Sequence, residues 1–258
     1  MTLLGHDRYC DELLRQTGLL RSALTGTDLT ATVPTCPDWS LGELARHVGR
    51  AQRWAEAIVR TKATEAVPPD QVPDSEGAPD DAPAALDTWL EAGAARLAAT
   101  LREAGPDAAV WTWAADRRAG FWARRMVHET AVHRADAALT AGVPFEVEPE
   151  VAADTIDEWL EILAFAQASG DKDVADLRGA GRSIHLHATD AADAEWLIEF
   201  GDDGFSWRRG HEKATVALRG PLVDVLQVFY RRLPATSDRV EVLGDRELLD
   251  FWLERASF

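Results

Sequence analysis

Gly181-Arg182-Ser183-Ile184-His185-Leu186-His187 is where the chain changes rhythm. Before it, apolar residues recur at helical spacing. From Ser183 they alternate with polar ones, the period of a half-buried strand. Toward the N-terminus, Leu3, Tyr9, Leu13, Leu20 and Leu24 predict a helix over 3–25. Val33-Pro34-Thr35-Cys36-Pro37-Asp38 breaks helical structure, and Ser40 with Glu43 forms a capping-box pattern that opens the next helix. That helix carries Leu44, Val48, Ala51, Ala55 and Ile58 on one face and ends before Pro68-Pro69. Residues 66–83 hold five prolines and read as a long, mobile polar loop. A third helix starts near Pro83 with Leu86, Leu90, Leu97 and Leu101 in register, and Gly105-Pro106 stops it. A fourth runs from about Gly120 to Gly142-Val143-Pro144. A fifth, 149–169, bears Val151, Ile156, Trp159, Leu160 and Leu163 and stops at Gly170.

Toward the C-terminus, Trp196-Leu197-Ile198-Glu199-Phe200 and Ala214-Thr215-Val216-Ala217-Leu218 also alternate, and Gly201-Asp202-Asp203-Gly204 reads as a hairpin turn. Leu222, Val225, Leu226 and Phe229 return to helical spacing, Arg239-Val240-Glu241-Val242 is a short strand, and Glu247–Trp252 a last helix. The class is therefore α+β, with an all-helical domain over 1–169 and a smaller α+β domain over 182–258. No strand is expected before residue 140.

With 258 residues there is room for one large domain or two modest ones. The 27 basic and 44 acidic residues give a net charge of −17, which disfavours binding to phosphate backbones, so no nucleic-acid partner is expected. A hydrophobic share of 46% argues against intrinsic disorder. No apolar run approaches the roughly 20 residues of a membrane helix, so no membrane partner is expected. Met1–Arg8 shows no basic stretch followed by an apolar block, so no signal peptide is expected. Cys10 and Cys36 make neither a disulfide framework nor a CxxC pair, and the reading is cytoplasmic. The ten tryptophans are either core or the walls of a pocket.

Chemistry concentrates in Arg125-Met126-Val127-His128-Glu129-Thr130-Ala131-Val132-His133. Glu129 and His133 lie one turn apart on one helix face, on nearly the same stripe as Trp122 and Met126, which want burial. An inward Glu and His need a partner. His47, three residues after Leu44 on its own helix, is the natural third member. Two histidines and a carboxylate from two helices make a three-ligand metal site with open positions. The bland alternatives are a satisfied core histidine and a surface pair of Glu129 with Arg125 or Arg124. His128 reads as structural, His185 and His187 as the outer face of a strand, and His6 and His211 as surface.

Val33-Pro34-Thr35-Cys36-Pro37-Asp38-Trp39-Ser40 followed by Leu44-Ala45-Arg46-His47-Val48-Gly49 resembles the N-terminal signature of the mycothiol-dependent maleylpyruvate isomerase family, within the DinB-like superfamily. Trp111-Thr112-Trp113, Phe121 through Asp136, and Leu243-Gly244-Asp245-Arg246 are similar to later parts of that family, so the resemblance spans nearly the whole chain. It implies a DinB-like four-helix bundle with an extra helix and a divalent metal, usually zinc, held by one His and an ExxxH pair, positions that match His47, Glu129 and His133. It also implies a C-terminal domain similar to sterol carrier proteins that contributes an arginine. Arg231 or Arg232, in Phe229-Tyr230-Arg231-Arg232-Leu233, stands closest, with a basic helix end favoured by the dipole as the plain reading.

The implied chemistry takes mycothiol, a low-molecular-weight thiol, and a small electrophilic substrate. Isomerisation and S-transfer use the same site. A metal-stabilised small-molecule binding or stress-response protein without turnover is the alternative, and a metal-dependent hydrolase lacks an obvious general base. The inward stripe offers only Trp122 and Met126 beside the ligands. The cation for an anionic substrate is therefore expected from the C-terminal domain, and the site at a cleft between domains.

Overall fold

The computed structural model describes residues 4–78 and 82–256. Leu3 and Pro79, which entered the reading of the first helix and the proline-rich loop, lie outside them. Two compact units emerge, divided between Phe145 and Glu146.

The first unit, Leu4–Phe145, is a four-helix bundle. Its helices are α1 (His6–Leu24), α2 (Leu41–Thr61), α3 (Pro83–Ala104) and α4 (Ala119–Ala141). The capping box is formed: Ser40 Oγ accepts from the Glu43 amide at 3.3 Å and Glu43 Oε2 accepts from the Ser40 amide at 2.8 Å. It satisfies two backbone donors that the start of a helix leaves unpaired. At the C-terminal end of α4, Gly142 takes the left-handed conformation that closes a helix at no steric cost. α2 and α3 approach so closely at Gly49 that a Cβ there would stand 2.0 Å from the Trp89 ring.

α4 packs on both α1 and α2, which explains why its buried residues include Thr130, Arg134 and Asp136 beside Trp122, Met126 and Ala131. Several of the buried polar groups pair with one another. Arg134 Nε donates to Gln16 Oε1 at 2.6 Å, Gln16 Nε2 to Glu12 Oε1 at 2.6 Å, and Gln52 Nε2 to both Thr17 and Thr130. Pairing of this kind offsets the cost of taking polar groups out of water.

One sequence expectation is corrected before α2. The segment read only as a helix break forms a small antiparallel hairpin, β1 (Thr32–Val33) and β2 (Cys36–Ser40), so strand does occur before residue 140. Its prolines stop helix without preventing a tight two-strand pairing at an edge.

The second unit starts at Glu146 and contains α5 (Pro149–Ala168), β3 (Ser183–Ala188), β4 (Glu195–Phe200), β5 (Phe205–Arg209), β6 (Val216–Gly220), α6 (Leu222–Phe229), β7 (Glu241–Gly244) and α7 (Arg246–Arg255). The sheet order is β5-β4-β3-β6-β7, with β3 and β6 parallel and the other neighbours antiparallel. The Gly201–Gly204 turn forms as expected, but it joins β4 to β5, a strand the alternation did not show, and not to the run that becomes β6. α5, expected to be the extra helix of a domain ending at 169, belongs instead to this unit. It packs on α6, Tyr230 donates its hydroxyl to the Thr155 carbonyl at 3.0 Å, and Asp157 receives Trp196 Nε1 at 2.7 Å and Arg209 Nη2 at 2.6 Å. The apolar face of α5 announced that the helix is buried, not which neighbour buries it. No helix among the described residues is long and apolar enough to cross a membrane.

Candidate metal centre in the helical bundle

α2 and α4 bring His47, Glu129 and His133 together. His47 Nε2 lies 2.9 Å and His133 Nε2 3.3 Å from Glu129 Oε1, and one donor atom from each residue falls within 4.8 Å of the other two. Ligands of a tetrahedral zinc ion bound at about 2.0–2.1 Å stand about 3.3 Å apart, so these spacings suit a divalent cation. The remaining nitrogen of His133 is fixed: Nδ1 donates to Asp136 Oδ2 at 2.9 Å, and Asp136, fully buried, also accepts from Thr35 Oγ1 at 2.5 Å. A carboxylate behind a histidine selects the tautomer whose other nitrogen can ligate. Trp39 on β2 packs against His47 with ring centroids 4.7 Å apart.

Burial would raise the pKa of Glu129, but the charge of Arg125 and hydrogen bonds from His133 and His47 hold its carboxyl well below the usual range. Burial would likewise lower His133. The hydrogen bonds and charges of Asp136 and Glu129 outweigh that and push it up to about 9. Once an ion displaces the Nε2 proton of His133, the donor set would be one ionised carboxylate and two imidazoles, a combination that fits a borderline divalent ion such as zinc.

Beside these residues lies a cavity of about 800 Å³. Trp54, Trp113, Trp122 and Met126 form its apolar wall, and His47 and Glu129 open onto it. Arg50 and Arg125 line it too, with Asp70 and Glu76 on the loop side. Every lining residue belongs to the first unit. This corrects the expectation that only Trp122 and Met126 stand beside the ligands: two arginines of the first unit line the same cavity. Arg125 sits one turn before Glu129 and donates to its Oε2, so the pair weighed as a surface alternative is instead part of the site. The i, i+4 spacing was visible in the sequence, but not the burial that turns an ordinary helix pair into a cavity wall.

The proline-rich loop, expected to be mobile, is tied down over this cavity along its described stretch from Val67 to Glu76. Trp54 Nε1 donates to the Val67 carbonyl at 2.8 Å, Trp89 Nε1 to Asp74 at 3.1 Å, and Arg50 to the carbonyls of Ser75 and Glu76. Val72, within the loop, is buried. The tryptophans therefore serve both roles: Trp54, Trp113 and Trp122 wall the cavity, whereas Trp196 and Trp252 fill the core of the second unit.

Arg231 and Arg232 lie just after α6. Arg231 is exposed with φ 64°, and Arg232 Nη1 donates to the Tyr230 carbonyl at 2.7 Å. His128 is fully buried, edge-on to Tyr9, which agrees with a structural role. His6, read as surface, is half-buried with Nε2 2.8 Å from the Leu101 carbonyl.

Fold and site together define a class: a two-unit α+β protein whose helical half carries two histidines and a glutamate at metal-binding spacing. The chain belongs to the mycothiol-dependent maleylpyruvate isomerase family, matching the mycothiol maleylpyruvate isomerase N-terminal domain over residues 10–138 and the corresponding C-terminal domain over 150–251. Among solved structures it is similar to mycothiol-dependent maleylpyruvate isomerase, with 18% identity, a TM-score of 0.58, and coverage of 95% of this chain and 97% of that one. A histidine-to-alanine variant of that enzyme gives 16% identity, a TM-score of 0.57 and the same coverage. At these identities the likeness concerns the fold. No curated protein matches the sequence.

Proposed function

We propose that this protein is a metal- and mycothiol-dependent enzyme that isomerises a small electrophilic carboxylate of the maleylpyruvate type. The observation that carries the proposal is the position of His47 and Glu129 in the wall of a cavity that also holds Arg50 and Arg125. His47, Glu129 and His133 would hold the divalent ion, with zinc the best match to the donors. When bound, such an ion supplies positive charge that favours the thiolate form of a thiol, the reactive nucleophile. Three protein donors would leave room for a further ligand, as in catalytic sites and unlike closed four-donor structural sites. That feature favours an enzyme over a metal-stabilised binding protein without turnover.

The remaining work falls to the chain's own residues. Arg125, held by Glu129, and Arg50, held by the loop carbonyls, present guanidinium groups suited to substrate carboxylates. The indoles of Trp54, Trp113 and Trp122 keep the reacting double bond in an apolar setting. In the reaction the thiolate sulfur adds to one alkene carbon and electron density moves onto the conjugated carbonyl. The new single bond rotates, and expulsion of the thiolate restores the alkene in the trans form.

The test is an assay of metal-loaded protein with maleylpyruvate, with and without mycothiol. Turnover that requires both, with mycothiol unconsumed, is the expected result. Stoichiometric loss of the thiol would instead identify an S-transferase, and no thiol effect would refute both. Arg231→Ala and Arg232→Ala, compared with Arg50→Ala and Arg125→Ala, decide which cation serves the substrate. A loss of kcat/KM in one of the C-terminal pair with metal content unchanged would assign the role there.

A further inference from the structure

The second unit contains its own convergent set of donors. On β3 the period of two places His185 and His187 on the face opposite the fully buried Ile184 and Leu186. Glu195 opens β4 directly across from His187 in the antiparallel register. His211 follows the end of β5, next to Gly210, whose amide donates to the Glu195 carbonyl at 3.1 Å. All three imidazoles meet at one atom: His185 Nε2, His187 Nδ1 and His211 Nδ1 lie 2.8, 2.8 and 2.6 Å from Glu195 Oε2. The rings stand nearly edge to face, with centroids 5.2–5.5 Å apart.

Hydrogen bonding alone is a poor account of this arrangement. A carboxylate oxygen offers two lone pairs, and three imidazole nitrogens compete for them. A divalent cation resolves the crowding by taking one lone pair from each of the four groups. One donor atom from each residue already lies within 4.8 Å of the other three, against about 3.3 Å in a tetrahedral zinc site. His211 is 71% exposed, so its ring is free to complete the approach.

We propose that His185, His187, Glu195 and His211 form a second metal site, separate from the His47 centre, that takes a divalent transition ion such as Zn²⁺. Three imidazoles and one carboxylate close a four-coordinate shell, so this site is structural rather than catalytic. The ion joins β3 to β4 and clips down the chain leaving β5, an edge strand of the sheet. The sequence conceals the set because Glu195 and His211 meet the two strand histidines only through sheet register. Alternation alone put His185 and His187 on an outer face, and His211 on the surface.

The experiment is Co²⁺ and Zn²⁺ titration of the metal-free, untagged full chain, read by metal content after gel filtration and by the visible Co²⁺ absorption. Wild type should bind two ions per chain. His47→Ala/His133→Ala should bind one, His187→Ala/His211→Ala one, and the fourfold variant none. The single variant His211→Ala, at an exposed position where folding is not at stake, should weaken one of the two equivalents at least tenfold. Circular dichroism checks that each variant folds. One ion in wild type, kept in His187→Ala/His211→Ala and lost in His47→Ala/His133→Ala, overturns this site and leaves the bundle centre standing. One ion with the opposite pattern supports this site and overturns the bundle centre instead. Unchanged affinity in His211→Ala also refutes the four-ligand assignment.

Discussion

Asp136→Ala should weaken metal binding at the bundle centre without touching a ligand. Asp136 is fully buried on α4 and accepts from His133 Nδ1 at 2.9 Å and from Thr35 Oγ1 at 2.5 Å. A carboxylate can only accept, so Nδ1 keeps its proton, and Nε2, 3.3 Å from Glu129 Oε1, is the nitrogen that would give up its own proton to take a metal ion. Alanine removes that choice of tautomer and lets the ring turn. Loss of such a supporting carboxylate typically costs about 10–100-fold in metal affinity, which is about 1.4–2.7 kcal/mol. Asp136→Asn should lose less, because its amide oxygen can still receive Nδ1–H while its NH₂ turns to Thr35. The assay is competition for Zn²⁺ against a chromophoric chelator in a His187→Ala/His211→Ala background, which isolates the bundle centre. Folding of each metal-free variant is checked by circular dichroism. Equal affinities for Asp136→Ala and the parent background, with both folded, would refute the argument that Asp136 orients a ligand.

Three further outcomes are expected. Ser40→Ala removes the capping-box acceptor at the start of α2 and should cost about 1 kcal/mol of unfolding free energy in urea. Gly49→Ala should destabilise by about 1–3 kcal/mol despite alanine's better helix propensity, because its Cβ would stand 2.0 Å from the Trp89 ring; a higher melting temperature would contradict the close α2–α3 packing. Burial pushes the Cys10 thiol up from 9.0 to about 11, so the fold favours the neutral form. Its contribution is fully present below pH 9 and is lost as pH rises through 11, a difference of about 3 kcal/mol. Cys10→Ser, whose hydroxyl does not ionise there, should therefore lose less stability between pH 8 and 11 than wild type.

The parts of this molecule that the sequence made legible are those set by local chemistry. Ser40 and Glu43 mark a helix start because the bonds they make are three residues apart, and Gly201–Gly204 marks a hairpin for a similar reason. Glu129 and His133 share a helix face by geometry alone, and His47 joined them through the family resemblance and its own inward position. What stayed hidden depends on contacts distant in sequence. The allegiance of α5 rests on Asp157 and Thr155 meeting residues of the sheet and the α6 end. β5 escaped because Phe205-Ser206-Trp207-Arg208-Arg209 ends in two arginines, one of them neutralised by Asp157 only after folding. Arg125 looked like half of a surface pair until the cavity showed what it faces.

The indoles around the cavity have an optical consequence. Trp122 lies 5.3 Å from Trp54 and 6.2 Å from Trp111, centroid to centroid, and Trp54 and Trp111 are 5.6 Å apart. At such separations the excited states of neighbouring rings mix, so the three absorb as a coupled set and give a paired positive and negative circular dichroism band. Trp54 and Trp122 also touch the cavity. A molecule entering it changes their mutual angle or their surroundings, and the band changes with it. The protein thus carries an intrinsic, label-free signal for occupancy of its cavity, readable in a plain cuvette.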